Sequence, residues 1–437
     1  MKTSAKVLIH DTHIGSVTWD ESRELGVFEY HSQFLSSGIE VAPLTMPLSG
    51  GTHVFPDLQR ETFKGLPGLL ADSLPDQFGN LLIDRWLADQ GRSANSFNPV
   101  ERLCYLGSRG MGALEFQPTL TPDLPSSVLE VTELVDLANR ALSARETLQT
   151  SIDSEKALTE IIRVGTSAGG ARAKAIIAWN PATNEIRSGQ VPLPNGFEPW
   201  LLKFDGIHGN RDKETADPQG YGRIEYAYHL MARAAGITMS DCRLLEEHDR
   251  AHFMTRRFDR TDDGDKLHQQ TLCGIAHMDF NQAGAYSYEQ AFQVARQLGL
   301  PHTDQAELYR RAVFNILARN QDDHTKNLSF LMDRRGSWKL APAYDVIHSD
   351  NPNGEWASRH QMSLHGKRDD FTHHDLLAAA PAANIKPALA RAIIGQVHEA
   401  VRNWKEFALE AEVSNNLHHA IAQTLRTNLF EANDLTF

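Results

Sequence analysis

The sequence predicts an α+β protein in which strands and helices are segregated along the chain. Three observations carry that expectation. Residues 5–60 read as short strands, residues 158–204 as loops leading into strands, and from residue 222 onward helical periodicity dominates. This is a segregated order, not the alternating βαβ pattern of a parallel sheet.

Each element has a local reason. "AKVLIHDTHIGSVTW" and "LGVFEYHSQFL" carry β-branched and aromatic residues with turn signals between them. "GLPGLLADSLPDQFGNLLIDRWLADQGR" reads as helical: Pro75 stands near a start, Leu81, Leu82, Trp86 and Leu87 recur at helical spacing, and Gly91 follows the expected end. "GSRGMGALEFQP" is glycine-rich and then extended, and "TLTPDLPSSVLE" (119–130) reads as a linker or surface crossing. "ELVDLANRALSA" is an amphipathic helix. "VGTSAGGARAKAIIAWN" and "FEPWLLKFDG" run from loop into strand. "IEYAYHLMARAAG", "YSYEQAFQVARQLG" and "DQAELYRRAVFNILARN" are helices, and the last 60 residues are helical with polar faces. The expected division is a β-rich subdomain at 1–120, a middle piece at 121–255 and a helical piece at 256–437.

Composition narrows the function. With 437 residues the chain holds two to four domain-sized units. Its 41% hydrophobic and 23% charged content is that of a soluble globular protein. A net charge of −13 argues against a whole-chain polyanion binder and leaves room only for a local basic patch. Cys104, Cys242 and Cys273 lie far apart without a CxxC pair, which argues against a zinc knuckle or disulfide framework and fits a reducing cytosol. The N-terminus has no long apolar h-region and no window approaches 18 apolar residues, so a cytoplasmic protein with no membrane partner is expected.

The chemistry concentrates in "RNQDDHTKNLSF", Arg319–Phe330, which packs Asp322, Asp323, His324, Lys326 and Asn327 between apolar runs. Alone, the stretch fits a metal site, an acid–base site, or a polar turn whose Asp and Asn cap backbone groups. Zinc is disfavoured, because His324 has no histidine at i+4 and no cysteine nearby. Asn327 follows Asp322 by five positions, and "PAYDVIH" brings Asp345 eighteen residues later. Magnesium prefers a few hard oxygen ligands, which an Asn and an Asp from adjacent segments supply. An aspartate just ahead of the Asn can accept a substrate hydroxyl proton. This spacing is the catalytic logic of protein kinases. It favours Asp322 over Asp323 as the base.

Further parts stand in kinase order. "WLLKFDG" places Lys203 in an apolar strand, and Glu225 follows 22 residues later in "GRIEYAYHLMARAAG". "RVGTSAGGARAKA" offers Gly165, Gly169 and Gly170 with Ser167 and Lys174; glycines let backbone amides approach phosphate oxygens. Each part has a plainer reading: a snorkelling edge lysine, a helix-start glutamate favoured by the dipole, and a loop matching neither GxGxxG nor GxxxxGK[ST]. Their shared order along the chain carries the inference.

These residues also resemble a known family. "SAGGARAK", "LLKF", "IEY", "RRFDR", "NQDDHTKN" and "PAYDV" resemble the HipA serine/threonine kinases, the toxin half of bacterial HipBA modules. "APLTMPL", "LADSLPDQFGNLLIDRWL", "LGSRGMGALEFQP" and "MSLHGKRDDF" extend the resemblance over nearly the whole chain. It implies a two-lobed protein-kinase-like fold that uses ATP and Mg2+. Asp322 would be the catalytic base, with Lys326 facing the phosphoryl charge, and Asn327 and Asp345 would hold magnesium. Lys203 would contact ATP phosphates with Glu225 as its partner. Gly165, Thr166, Ser167, Ala168, Gly169, Gly170 and Lys174 would form the phosphate loop. Thr255–Asp259, including Arg256 and Phe258, would follow the hinge near adenine. Ser167 would match the autophosphorylated serine that ejects this loop; charge added to a phosphate cradle repels phosphate. Arg172 stands where the family often has Gln, and Arg256 where relatives can be acidic. The resemblance further implies a protein serine as substrate (an aminoacyl-tRNA synthetase by family precedent), a HipB-like helix-turn-helix antitoxin, and operator DNA reached through it.

Two other functions compete. One is a DNA-associated regulator with weak or lost kinase activity, using "RAHFMTRRFDRTDDGDK" (250–266) as a phosphate-binding face; the interleaved acids favour a solvated loop there instead. The other is a metal-dependent hydrolase using Asp322, Asp323, His324 and Asp345, which leaves Lys203 and the glycine-rich loop unexplained. His373 and His374 in "FTHHDLL" are adjacent and diverge on a helix, so a metal site is not expected there.

Overall fold

Period-2 burial builds the N-terminal sheet. In β1 (Ser4–Ile9) Ala5, Val7 and Ile9 are buried and the residues between them are not, as in a half-buried strand. β2 (Thr12–Asp20), β3 (Leu25–Tyr30), β4 (Thr52–His53) and β5 (Leu114–Gln117) complete an antiparallel sheet of order β4-β3-β2-β1-β5. At Gly15 in β2 a Cβ would lie 2.5 Å from the Phe28 ring and from the Glu29 carbonyl, so the sheet closes there only without a side chain. This computed structural model describes residues 3–120, 132, 134–136, 172–189, 193–206, 211–212, 215–216 and 219–429. The chain divides into two compact units. The first is Met1–Gln219, Leu245–Gln270 and Met332–Ser337; the second is Gly220–Leu244, Thr271–Leu331 and Trp338–Phe437.

A second five-stranded sheet lies mostly within the first unit. Its strands are β6 (Lys174–Trp179), β7 (Ile186–Ser188), β8 (Glu198–Lys203), β11 (Cys242–Glu247) and β12 (Arg250–Arg256), in the order β11-β12-β8-β6-β7. A two-strand ribbon, β9 (Arg211–Asp212) with β10 (Thr215–Ala216), lies between β8 and β11 in the chain. The helix Gln77–Asp89 starts where Asp76 Oδ1 accepts the Gly79 N–H at 2.6 Å, an N-cap. It ends just before Gly91, which takes a φ of 69°. Phe78, Leu82, Ile83 and Leu87 of this helix share one core with Ala175, Ile177 and Trp179 of β6 and with Trp200 and Leu202 of β8.

Strands β11 and β12 fall within the stretch after residue 222 where helical periodicity dominates, and neither was expected there. Their sequence is rich in charged residues, and the turn between them uses His248 at a φ of 54° rather than the Gly or Asn that announces such a turn. Nor is 250–266 a solvated loop. Arg257 is 5% exposed and Asp259 0%. Asp259 accepts from Arg257 at 2.9 and 2.7 Å, from Arg260 at 2.8 Å and from the Gly112 N–H at 2.7 Å. Arg260 and Lys266 reach the carbonyls of Gly112 and Ser108 at 3.1 and 2.7 Å. The basic residues therefore clamp the "GSRGMG" segment from inside, where charge must be paired.

Lys174 opens β6 directly opposite Lys203 of β8. Its Nζ lies 3.3 Å from Asp76 Oδ2, both side chains being 3% exposed. Asp76 thus caps a helix with one oxygen and holds a buried ammonium with the other. Lys174→Met is expected to lower the stability of the protein by roughly 2–3 kcal/mol, the scale of a hydrogen bond to a charged group, as read by urea unfolding. An unchanged midpoint would show that the pair contributes nothing.

In the second unit helices predominate: Tyr221–Ala234, Tyr288–Gln297, His302–Leu317, Pro387–Arg402, Trp404–Glu410 and Asn415–Thr424 among them. Ser287 with Gln290, and Thr372 with Asp375, form reciprocal capping boxes. Tyr228 packs its ring 5.3 Å from Trp404 and donates to the Ala318 carbonyl at 2.6 Å. Those contacts place the helix Tyr221–Ala234 with the C-terminal helices, whereas the clamp described above places residues 256–270 with the sheets. The compact units thus cut the chain differently from a simple boundary at 255. The β-rich beginning and helical end agree with the α+β expectation. The three cysteines are buried. Among the described residues no helix is long and apolar enough to cross a membrane. The linker at 121–130 and most of the helix expected at 133–144 lie outside the described residues.

Candidate active site

The loop 319–327 leaves the helix His302–Leu317 through Arg319, which has a φ of 55°. The Arg319 carbonyl accepts the Ser349 N–H at 2.9 Å, and the Gln321 N–H donates back to the Ser349 carbonyl at 3.1 Å. Beyond that bridge burial alternates. Gln321, Asp323 and Thr325 are buried, while Asp322 and His324 are only half-buried. Extended backbone sends successive side chains to opposite sides, so the two adjacent aspartates face different surroundings.

Asp323 faces the core. Its Oδ2 accepts from the Tyr288 hydroxyl at 2.7 Å and from His360 Nδ1 at 2.8 Å, and its Oδ1 accepts the Gln361 N–H at 2.7 Å. Burial first, then the Asp323 charge, pushes the Tyr288 hydroxyl well above its usual range, so that it stays a donor. Asn315 Nδ2 completes this group by donating to Tyr288 at 2.9 Å. Both oxygens of Asp323 are thus engaged by fixed partners.

Asp322 faces the other way. Trp356 Nε1 donates to its Oδ1 at 2.5 Å, and His324 Nε2 lies 3.8 Å from the same oxygen. Its main-chain carbonyl accepts from Asn327 Nδ2 at 2.9 Å. With its amide nitrogen tied down, Asn327 can offer a cation only its Oδ1. Thr325–Asn327 form a 3-10 turn, braced by Thr325 Oγ1 donating to the Met278 carbonyl at 2.6 Å. Lys326 carries its ammonium 5.2 Å above the Phe280 ring, a cation–π contact, and its carbonyl accepts from the Tyr344 hydroxyl at 2.7 Å.

Asp345 follows Tyr344 with a φ of 56°, a left-handed conformation that Asp tolerates better than most residues and that clusters at functional sites. Asp345 and Asn327 line one cavity, together with Asn320, Asp323, His324 and Arg311. Two oxygen-bearing side chains from adjacent segments on one cavity suit magnesium, which needs few protein ligands. The hydrolase cluster does not assemble. Asp323 is held by Tyr288, His360 and Gln361, and among the described residues no group of three His, Cys, Asp or Glu is placed to hold a metal ion. His373 and His374 start the helix His373–Ala379.

The other expected site residues lie as follows. Lys203 ends β8 with its ammonium 5.8 Å from the Phe253 ring. Lys174 is engaged by Asp76, so any contact with a phosphate requires that pair to open. Arg256 pairs with Asp262 at 2.9 Å, and Phe258 is half-buried beside the Asp259 clamp. Glu225, 3% exposed, sits in the helix Tyr221–Ala234 of the second unit. Gly165, Thr166, Ser167, Ala168, Gly169 and Gly170 lie outside the described residues. Trp356, Tyr288 and His360 were not anticipated. Only the aromatic residue of "NGEWASRH", shortly after Asp345, could have drawn notice in the sequence.

Two family models match this chain, the HipA N-terminal domain over residues 5–117 and the HipA-like C-terminal domain over residues 166–404. The chain belongs to the HipA family. A solved HipA from Shewanella oneidensis MR-1, in complex with HipB and its operator DNA, superposes with a TM-score of 0.68 over 97% of this chain and 95% of that one. At 16% identity that likeness establishes a shared fold. Curated relatives carry the name "putative kinase". One from Haemophilus influenzae is 32% identical over 181 residues, covering 35% of this chain and 51% of that protein. Two from Sinorhizobium fredii, Y4mE and Y4dM, are 29% identical over 126 residues and 27% over 258 residues. Those matches cover 27% and 54% of this HipA-family chain and 30% and 58% of the relatives, so it spans less than two thirds of each relative's length.

Proposed function

We propose that the chain is an ATP- and magnesium-dependent serine/threonine protein kinase of HipA type. The observation that carries this reading is the split between the adjacent aspartates: Asp323 has both oxygens engaged from the core, while Asp322, on the other side of the backbone, is held by Trp356 and tied to Asn327 through its carbonyl, and Asn327 and Asp345 line one cavity. Asp322 accepts the proton of the substrate hydroxyl, and Asn327 holds the loop that presents it. Asn327 Oδ1 and the Asp345 carboxylate would hold Mg2+, which would supply positive charge against the phosphates of the nucleotide. Lys326 adds positive charge beside the transferred group. By the family pattern, Lys203 and Glu225 would serve the phosphates of ATP, as would residues 165–170 and Lys174. Arg256 and Phe258 would serve the adenine.

On this reading a protein serine is the acceptor, an aminoacyl-tRNA synthetase being the family precedent, and Ser167 is the site of self-inactivation. The Shewanella complex supports, as partners, a HipB-like antitoxin and operator DNA reached through it. A cytoplasmic location follows from that role.

The test is transfer of label from γ-labelled ATP with magnesium, alone and in a cell extract, beside an Asp322→Gln variant. Label on Ser167 or on an extract protein that depends on Asp322 is expected; metal-dependent phosphatase or nuclease activity without ATP binding would overturn the reading. Trp356 supplies a finer check. Its indole N–H fixes one oxygen of the proposed base, so Trp356→Phe is expected to lower kcat about tenfold, roughly one charge-assisted hydrogen bond, with KM for ATP unchanged. A rise in kcat would instead assign Trp356 to obstruction of the acceptor.

A further inference from the structure

The group that locks Asp323 extends well beyond the loop. His360 is fully buried, and its Nε2 lies 3.2 Å from an Arg426 guanidinium nitrogen. A guanidinium has only N–H groups to offer, so Nε2 accepts, and Nδ1 carries the proton that goes to Asp323. The imidazole thus connects a buried cation to a buried carboxylate. Phe371 backs both, 5.6 Å from the His360 ring and 5.4 Å from the Arg426 guanidinium carbon.

Arg426 is 6% exposed and follows the helix Asn415–Thr424. Its N–H donates to the Leu317 carbonyl at 2.9 Å and its guanidinium to the Ile316 carbonyl at 3.3 Å, at the end of the helix that leads into the loop. The same guanidinium pairs with Asp369. Arg319, at the start of the loop, lies 3.6 Å from Asp369 and donates to the Thr424 carbonyl at 2.9 Å. One residue far along the chain thus touches the helix end before the loop and, through His360, the carboxylate within it.

We propose that Arg426, acting through His360, is a positioning residue for phosphoryl transfer: it holds Asp323 in the core and so keeps Asp322 turned toward the reacting groups. The proposal deepens the kinase reading and rests on it for the reaction, but its mechanical claim stands separately. Because Asp322 and Asp323 are adjacent in extended backbone, a backbone rotation that takes Asp323 out of the core also re-aims Asp322. Among the described residues Arg426 touches none of those expected to serve ATP or magnesium, so its loss should act on turnover and not on nucleotide affinity.

The experiment compares wild type with Arg426→Met, Arg426→Lys and His360→Asn by labelled-ATP transfer and by hydrogen exchange of peptides covering 319–328 and 357–363. For Arg426→Met the expected result is a 10- to 100-fold fall in kcat with KM for ATP within about twofold, together with faster exchange confined to those two peptides. Arg426→Lys, which keeps the charge, should recover part of both effects, and it carries the test should Arg426→Met fail to fold. His360→Asn, which retains a donor toward Asp323 but loses the acceptor for Arg426, should resemble Arg426→Met. If the wild type transfers no phosphate, the kinase reading fails, and the exchange data still decide the mechanical claim. Unchanged exchange in both peptides overturns the proposal, as does a loss that appears in KM alone.

Discussion

Asp322→Asn is expected to reduce phosphoryl transfer by about 10²- to 10⁴-fold, the usual worth of a positioned general base, while leaving the unfolding midpoint unmoved. Asparagine keeps an oxygen that can accept the Trp356 indole N–H, and its main-chain carbonyl still receives Asn327. The surroundings of the side chain therefore stay satisfied and only proton acceptance is lost. Asp323→Asn should behave differently. Its neighbours all donate: the Tyr288 hydroxyl, His360 Nδ1 and the Gln361 N–H. An amide NH2 placed among them sets donor against donor in a buried site, at a cost of roughly 2–4 kcal/mol. Asp323→Asn should thus lose stability and activity together. The measurement is a pair of urea titrations beside a pair of labelled-ATP assays. A stable, inactive Asp323→Asn with a fully active Asp322→Asn would reverse the assignment and make Asp323 the base.

The contrast between these two residues also shows where sequence reading stops. Asp322, Asn327 and Asp345 could be singled out because the spacing within one loop, and to the next segment, is itself the chemical signal. The role of Asp323 could not be read, since its partners Tyr288 and His360 lie 35 and 37 positions away and nothing local marks them. Arg426 is more distant still, and no pattern in "QTLRTN" separates it from a surface arginine. In the first unit the strands and the helix Gln77–Asp89 were legible from periodicity and from the proline and glycine at its ends. The pair β11–β12 was not, because its polar residues hide the alternation and its turn uses His248. The run "RRFDR" misled for a related reason. Interleaved charges on a chain usually mean solvent, yet here Asp259 is neutralised inside the protein by an arginine two positions before it and another directly after it.

That buried cluster leads to the largest expected effect on stability. Removing the carboxylate in Asp259→Ala leaves Arg257 and Arg260 facing each other, buried, with no anion between them, and deletes the acceptor for the Gly112 N–H. Breaking a buried pair on one side costs about 3–5 kcal/mol, and the variant should lose that much in urea unfolding. The dependence on pH follows from the ionisation of Asp259. Burial by itself would raise its pKa. The Arg257 and Arg260 guanidiniums, with the Gly112 N–H, outweigh burial and hold the carboxyl well below the usual range. Burial pulls Arg260 down only to about 10, so it remains cationic at neutral pH. A carboxyl depressed in the folded state contributes stability that is fully present above its unfolded pKa of about 4 and is lost as pH falls through the folded value. The gap in stability between wild type and Asp259→Ala should therefore be flat from about pH 5 to pH 7 and narrow only below about pH 4. A gap that already shrinks between pH 7 and pH 5 would mean that the titration of another group, and not the Asp259 carboxylate, sets the stability of the clamp.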